Sequence, residues 1–401
     1  MSPQRLTMLA FFLQPIAFGA WLPRIPDVQA RLGLGPAELA FTLLGLPIGI
    51  GLVLPFAGPL VARIGSHKAI AWGFPLFLAT TCLPALAFHP IALFVALLLC
   101  GMAISTLELG LNVAADEVEK STGSAIMSTC HGFWSLGMMT GNLFGSGLAA
   151  LHLAPQISVP IGAALVLLPA LVLGRVLPEG HTTAAAAAKD PAAPKASPFV
   201  LPSLVLFGIC VFAYGTTMTE GAAADWSAIY MRTALGADAA AAGLGYAVFA
   251  GLVATGRFLG DWLKVKYGPV AIARVTTATA LVGIAILAIS PSYPISLLGF
   301  ALAGFGVSVS FPLAVTAAAG LGDRPAAQNV AILSLIGLSG FLIGPPIIGF
   351  IAQHWGIRIG FLVLAPSLAL SLLLSGLLAR GAKAAALSDQ PAEALPIGNG
   401  K

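Results

Sequence analysis

Twelve apolar runs of roughly 20 residues follow one another along this chain, each long enough to cross about 30 Å of hydrocarbon. They lie near 5–26, 38–60, 69–88, 91–115, 124–150 and 156–177, then 200–231, 240–262, 269–289, 294–318, 326–352 and 358–379. Hydrocarbon offers no partner to a peptide N–H or C=O, so such runs fold as helices that satisfy their own backbone. The expected fold is an all-α membrane protein, twelve transmembrane helices in two pseudo-symmetric six-helix bundles. Only 8% of the 401 residues are charged, against roughly 25% in soluble domains.

The six-plus-six grouping rests on the stretch HTTAAAAAKDPAAPKASP at 181–198, the longest polar interruption before the tail. It divides the chain into an N-terminal bundle (1–178), a cytoplasmic linker (179–199), a C-terminal bundle (200–382) and a disordered tail (383–401). Of the nineteen Lys and Arg, fourteen fall on the side of both termini, four on the other, and Arg257 lies inside a span. By the positive-inside rule both termini are expected in the cytoplasm. The net charge of +4 is thus a topology signal and does not point to nucleic acid. Leu6–Leu22 lacks a small-residue cleavage site and reads as a first span. Cys82, Cys100, Cys130 and Cys210 all sit in apolar runs, giving no disulfide framework or metal spacing. No cofactor is expected.

Ionisable residues inside the spans carry the functional signal, since a charge at a helix centre costs about 2.5–3.5 kcal/mol on the mildest scale. In the fourth span Glu108, Asn112 and Asp116 are spaced i, i+4, i+8 and make one polar stripe; Ser128, His131 and Ser135 make another in the fifth. Helix ends near Asp116 and Gly123 would place Glu108 and His131 at similar depth, roughly 11 Å from one membrane surface. The structural alternative is a protonated, hydrogen-bonded Glu108.

A third cluster, EGAAADWSAIY (220–230), brings Glu220, Asp225 and Trp226 into the seventh span. Five residues apart, Glu220 and Asp225 would diverge by about 140° on a continuous helix. A break at Gly215 or Gly221 would let both face a cavity. Trp226 is alternatively an interfacial anchor. Trp21, Gln14, Asn142 and Asn329 could line the same cavity or serve as interhelical hydrogen-bonding groups. Arg24 stands near the outer mouth, able to pair with Glu220 or Asp225 or to form a gate. Arg257 and Asp261, at i, i+4, read as an ion pair near the cytoplasmic end.

The loop GPLVARIGSHK (58–68) resembles the Gly-x-Leu-x-Asp-Arg-x-Gly-Arg-Lys loop of the major facilitator superfamily, matching at Gly58, Leu60, Arg63 and Gly65 and departing at Ala62 and Ser66. GRFLGDWLKVKYG (256–268) looks like its second copy, with Arg257, Gly260 and Asp261. The resemblance implies gating roles at these positions, and parallel repeats are how such transporters are built. Glu108-x-x-x-Asn112 followed by CHGFWSLG (130–137) resembles the fucose–proton symporter branch and its bacterial inner-membrane relatives. That likeness implies proton coupling at the Glu. Where the branch contacts sugar, this chain has His131 and Trp134, and the first-span Asp of the symporter is absent from GAWLPRIP (19–26).

The resulting expectation is a secondary active transporter, monomeric, with a small-molecule substrate, protons and the lipid bilayer as its partners. Glu108 and His131 would handle the proton, and Asn112, Trp134, Glu220, Asp225, Trp226, Trp21 and Asn329 the substrate. Arg63, Gly58, Gly65, Arg257, Asp261 and Arg24 would gate. The resemblance favours a sugar or similar polar solute. The alternative is a proton-driven efflux antiporter for amphipathic compounds, consistent with Phe133, Trp134 and Trp226. An enzyme is not expected, because no nucleophile–base pair, metal spacing or phosphate loop occurs.

Overall fold

The structure, a computed structural model, describes residues 1–177 and 201–380. The expected linker and tail lie outside the described residues. Twelve helical spans fill the rest. They are α1 (Pro3–Leu32), α2 (Pro36–Ile64), α3 (Ser66–Leu86), α4 (Pro90–Thr122), α5 (Met127–Ala150), α6 (Pro155–Val176), α7 (Leu204–Leu235), α8 (Ala239–Tyr267), α9 (Pro269–Ile289), α10 (Tyr293–Ala319), α11 (Ala326–Trp355) and α12 (Ile357–Arg380).

Eleven of these are long and apolar enough to cross a membrane; α5 is not counted among them. Its sequence MSTCHGFWSLGMMTGNLFGSGLAA exchanges hydropathy for close packing. Gly137, Gly141 and Gly145 lie on one face of α5, where a Cβ would collide with the carbonyl oxygens of Phe12, Ile16 and Ala20 of α1. Small residues at four-residue spacing let two backbones meet in lipid, where dispersion contacts replace the hydrophobic drive.

Two helices overrun the C-terminal end of their sequence-based limits by six residues or more. The first continues through a 3₁₀ turn at Leu22–Arg24 as far as Leu32, because Pro23 and Pro26 each sit near a helical start where a missing N–H costs nothing. The fourth continues past Asp116 to Thr122, and Oε1 of Glu119 then accepts from the backbone N–H of Ile126 and of Met127 (2.7 Å), which delays the start of α5. Glu108 therefore lies about 21 Å from the end of α4, and His131 about 6 Å from the start of α5, at 1.5 Å per residue. The similar depths expected from the shorter helices do not hold.

The two halves meet along two seams. One is α5 against α8, running from Gly243, packed on Ser146 and Pro23, to Phe258, which meets Phe133 edge-on at 5.6 Å. The other joins α2 to α11 mainly through Pro36–Leu43, and the two helices diverge beyond it. The end remote from the chain's N terminus is thus closed. There Asp27 of α1 accepts from Arg232 of α7 at 2.7 Å and meets Arg24 at 3.1 Å.

Candidate functional site: a cavity between the halves

A cavity of about 240 Å³ lies between the bundles, with walls from α1, α2, α4, α5, α7, α8 and α11. Its polar lining is Glu108 of α4, Trp134 and Ser135 of α5, Glu220 and Asp225 of α7, and Tyr246 of α8. The remaining wall is apolar, built by residues such as Phe18, Leu46, Phe249 and Phe341.

The three acidic residues fall into two settings. Among the described residues, the Glu108 carboxylate makes no ion pair and no hydrogen bond; only its backbone carbonyl is engaged, by the Asn112 amide at 3.0 Å. Asp225 is likewise without an ion pair or side-chain hydrogen bond among the described residues. Glu220 is neutralised by Arg257, whose Nη2 donates to Oε1 at 2.8 Å, both side chains being largely buried. The same guanidinium reaches across the seam, where Nη1 donates to Ser135 Oγ at 2.7 Å and to the His131 carbonyl at 3.3 Å. Arg257 is therefore not paired with Asp261, which is exposed. The helical i, i+4 geometry permits that pair, but a buried guanidinium gains more from a buried carboxylate than from one in water.

The seventh span is continuous from Leu204 to Leu235, so no break brings Glu220 and Asp225 together. Both line the cavity, at the two edges of one side of α7 that also carries Gly221 and Ala224 and spans about 140° of the helix. Gly215 and Gly221 serve packing instead, against Ser371 of α12 and Phe341 of α11.

Several other expected positions fall elsewhere. Asn112 and His131 are outside the cavity wall, and the His131 ring packs edge-on against Phe11 at 5.4 Å. No hydrogen bond joins His131 to Glu108 among the described residues. Trp134 lines the cavity with its ring while its Nε1 donates to Gln14 at 2.7 Å. Trp21 and Trp226 are buried in the apolar core; Trp226 borders a separate cleft with Arg358 and Trp355. Asn329 donates to Asp323 and to the Ala318 carbonyl, bracing the α10–α11 turn. Arg24 pairs with Asp27 rather than with either acid of α7. Arg63 and Gly58 are exposed, and Gly65 forms the positive-φ turn (88°) between α2 and α3. The position of Ser66 is filled by a hydrogen bond to Glu117 at 2.7 Å, tying this turn to α4.

Sequence reasoning missed Phe18, Tyr246, Phe249 and Phe341. Tyr246 carried a usable signal, being a polar aromatic in the apolar first half of its span.

The sequence places this arrangement of two bundles around a central cavity in a family. The Major Facilitator Superfamily model matches residues 7–324 and 221–399. This chain belongs to the major facilitator superfamily. Among superfamily members, an MFS-type transporter of Yersinia pestis is 33% identical over 361 residues, 90% of this chain and 91% of that protein. The fold also superposes on a variant of the nucleoside transporter NupG, at a TM-score of 0.73 and 15% identity, covering 94% of this chain and 100% of that one. A bacterial homolog of the human lysosomal transporter Spinster, in an inward-facing and occupied conformation, gives 0.70 at 16% identity, covering 96% and 99%. Membership in this superfamily makes the chain a multi-pass secondary transporter of small molecules and not an enzyme.

Proposed function

We propose that this protein moves a small amphipathic organic solute by alternating access, driven by protons that bind Glu108. The observation that carries the reading is a carboxylate in the wall of the inter-bundle cavity with no ionic partner among the described residues. A group so placed alternates between neutral and charged as the cavity dries and wets, and a solute whose affinity differs between those forms is thereby coupled to the proton. The likeness of Glu108-x-x-x-Asn112 to the fucose–proton symporter branch supports the proton half of this reading.

It does not extend to sugar. A sugar needs a ring of amides and hydroxyls free to bond it, and here Asn112 is turned to its own helix, the Trp134 indole is taken by Gln14 and Ser135 is held by Arg257. The largely apolar wall favours the amphipathic cargo. The two bundles, 1–178 and 200–382, act as rocking units joined by the 179–199 segment. The basic-residue asymmetry supports cytoplasmic termini in a bacterial inner membrane, and two bundles enclosing one cavity can work as a monomer.

The test is purified protein in liposomes holding a pH-sensitive dye, screened against monosaccharides, polyols, small acids, amines and amphipathic drugs. The expected result is proton movement evoked by one class of compound. Solute uptake unaffected by collapsing the pH gradient would contradict the proton-coupled reading.

A further inference from the structure

The charges around the cavity do not balance. Three carboxylates line it, Glu108 on α4 and Glu220 and Asp225 on α7, against the single guanidinium of Arg257 on α8, which is already bound to Glu220. The other titratable groups nearby are Tyr246 on α8 and His131 on α5, the latter behind the wall against Phe11. The lining residues of α1, α2 and α11 carry no ionisable side chain. One carboxylate on each half is thus left without a cation among the described residues.

A carboxylate removed from water is costly unless it takes up a proton or meets a positive group. The surrounding rings of Phe18, Trp134, Tyr246, Phe249 and Phe341 offer the electron-rich faces that attract a cation and exclude an anion. An anionic solute would meet a guanidinium whose Nη1 and Nη2 are already engaged, with only Nε left without a partner among the described residues, while facing two further acids.

We propose that the cargo is a monovalent organic cation, an ammonium on a compact apolar body, bound between Glu108 and Asp225 in competition with the proton. The inference rests on the transport reading above and adds the charge of the cargo. As the ammonium arrives, a protonated carboxyl gives its proton to water through the open side of the cavity, and ammonium N–H groups donate to the carboxylate left behind. Cargo and proton therefore occupy the site in turn and cross in opposite directions.

The test uses the full-length protein in detergent, titrated with phenethylamine and tryptamine, each beside a neutral or anionic counterpart such as 2-phenylethanol or 3-phenylpropionate. At least one amine should bind tenfold or more tightly than its neutral counterpart, weaken several-fold from pH 8 to pH 6, and release protons into weakly buffered solution. Glu108→Gln and Asp225→Asn should each weaken binding, and proton release by the unmodified protein gives a readout independent of how the variants fold. Binding of the alcohol or carboxylate as tight as the amine, or no binding by any amine, overturns the proposal. Liposome proton flux evoked only by neutral or anionic solutes would leave the transport reading intact and overturn this one. Amine binding with proton release but no flux would do the reverse.

Discussion

Arg257 holds Glu220 within its own half at 2.8 Å and, with its other terminal nitrogen, Ser135 of the opposing half at 2.7 Å. One side chain therefore links a cavity acid to the α5–α8 seam. Removing either member of the pair strands a largely buried charge, which costs about 3 kcal/mol or more, whereas removing both spares that penalty. Arg257→Gln and Glu220→Gln should each lower the melting temperature in detergent clearly, and the double variant should lie above the sum of the two losses. Strict additivity would show that the pair is not coupled.

Much of this architecture was legible in the sequence. Twelve helices appear near the expected positions, eleven of them long and apolar enough to cross a membrane, because a 20-residue apolar run has one low-energy fate in a bilayer. The site was legible only in part. Glu108, Glu220 and Asp225 stand out as charges in hydrocarbon, and all three reach the cavity. Their partners did not follow from spacing. Arg257 is four residues from Asp261 yet bonds to a residue 37 positions away, since burial decides between the two carboxylates. The aromatic wall was illegible for a simpler reason: Phe249 and Phe341 are apolar residues in apolar spans, and nothing local separates a cavity face from a lipid face.

Asp27 bridges Arg24 and Arg232 across the closed end. Arg24 is buried, its Nη2 meets Asp27 and donates to the Leu153 carbonyl, and its Nε and Nη1 have no hydrogen-bond partner among the described residues. Asp27 is thus the carboxylate that offsets this charge, and Asp27→Asn weakens the closed arrangement and shifts the population toward opening at that end. A cysteine reporter at Leu43, in a background lacking the four native cysteines, should then react several-fold faster with a membrane-impermeant maleimide. An unchanged rate would mean that the apolar seam alone keeps this end shut.

The glycine face of α5 gives a packing prediction. At Gly141 a side chain would meet the backbone of Ile16, which cannot swing away as a flexible side chain could. Gly141→Val should cost about 1–3 kcal/mol as an overpacking change and reduce the folded yield, while Gly147→Val, with open space around it, should be tolerated. Equal behaviour of the two would contradict the α1–α5 contact.

On the α10–α11 turn, the Asn329 amide, and after it Ser203, hold the Asp323 carboxyl below its ordinary value of 3.8. A carboxyl whose folded pKa is depressed adds stability above its unfolded value and loses it as pH falls through the lowered folded value. Asn329→Ala should therefore destabilise the protein at pH 7, and the charge-dependent part of that loss should fade below pH 3.8. A difference that stays constant down to pH 3 would assign the effect to the buried Ala318 contact instead.

The central claim is that Glu108 is where the proton binds. The most direct measurement compares Glu108→Gln with the unmodified protein in liposomes, using a solute that the unmodified protein transports, once for uphill accumulation under an imposed pH gradient and once for solute exchange without a gradient. Glutamine keeps the shape of the side chain and cannot ionise, so accumulation should fall to background while exchange persists at solute concentrations that saturate the weakened site. Accumulation that survives the substitution would place the proton on another group.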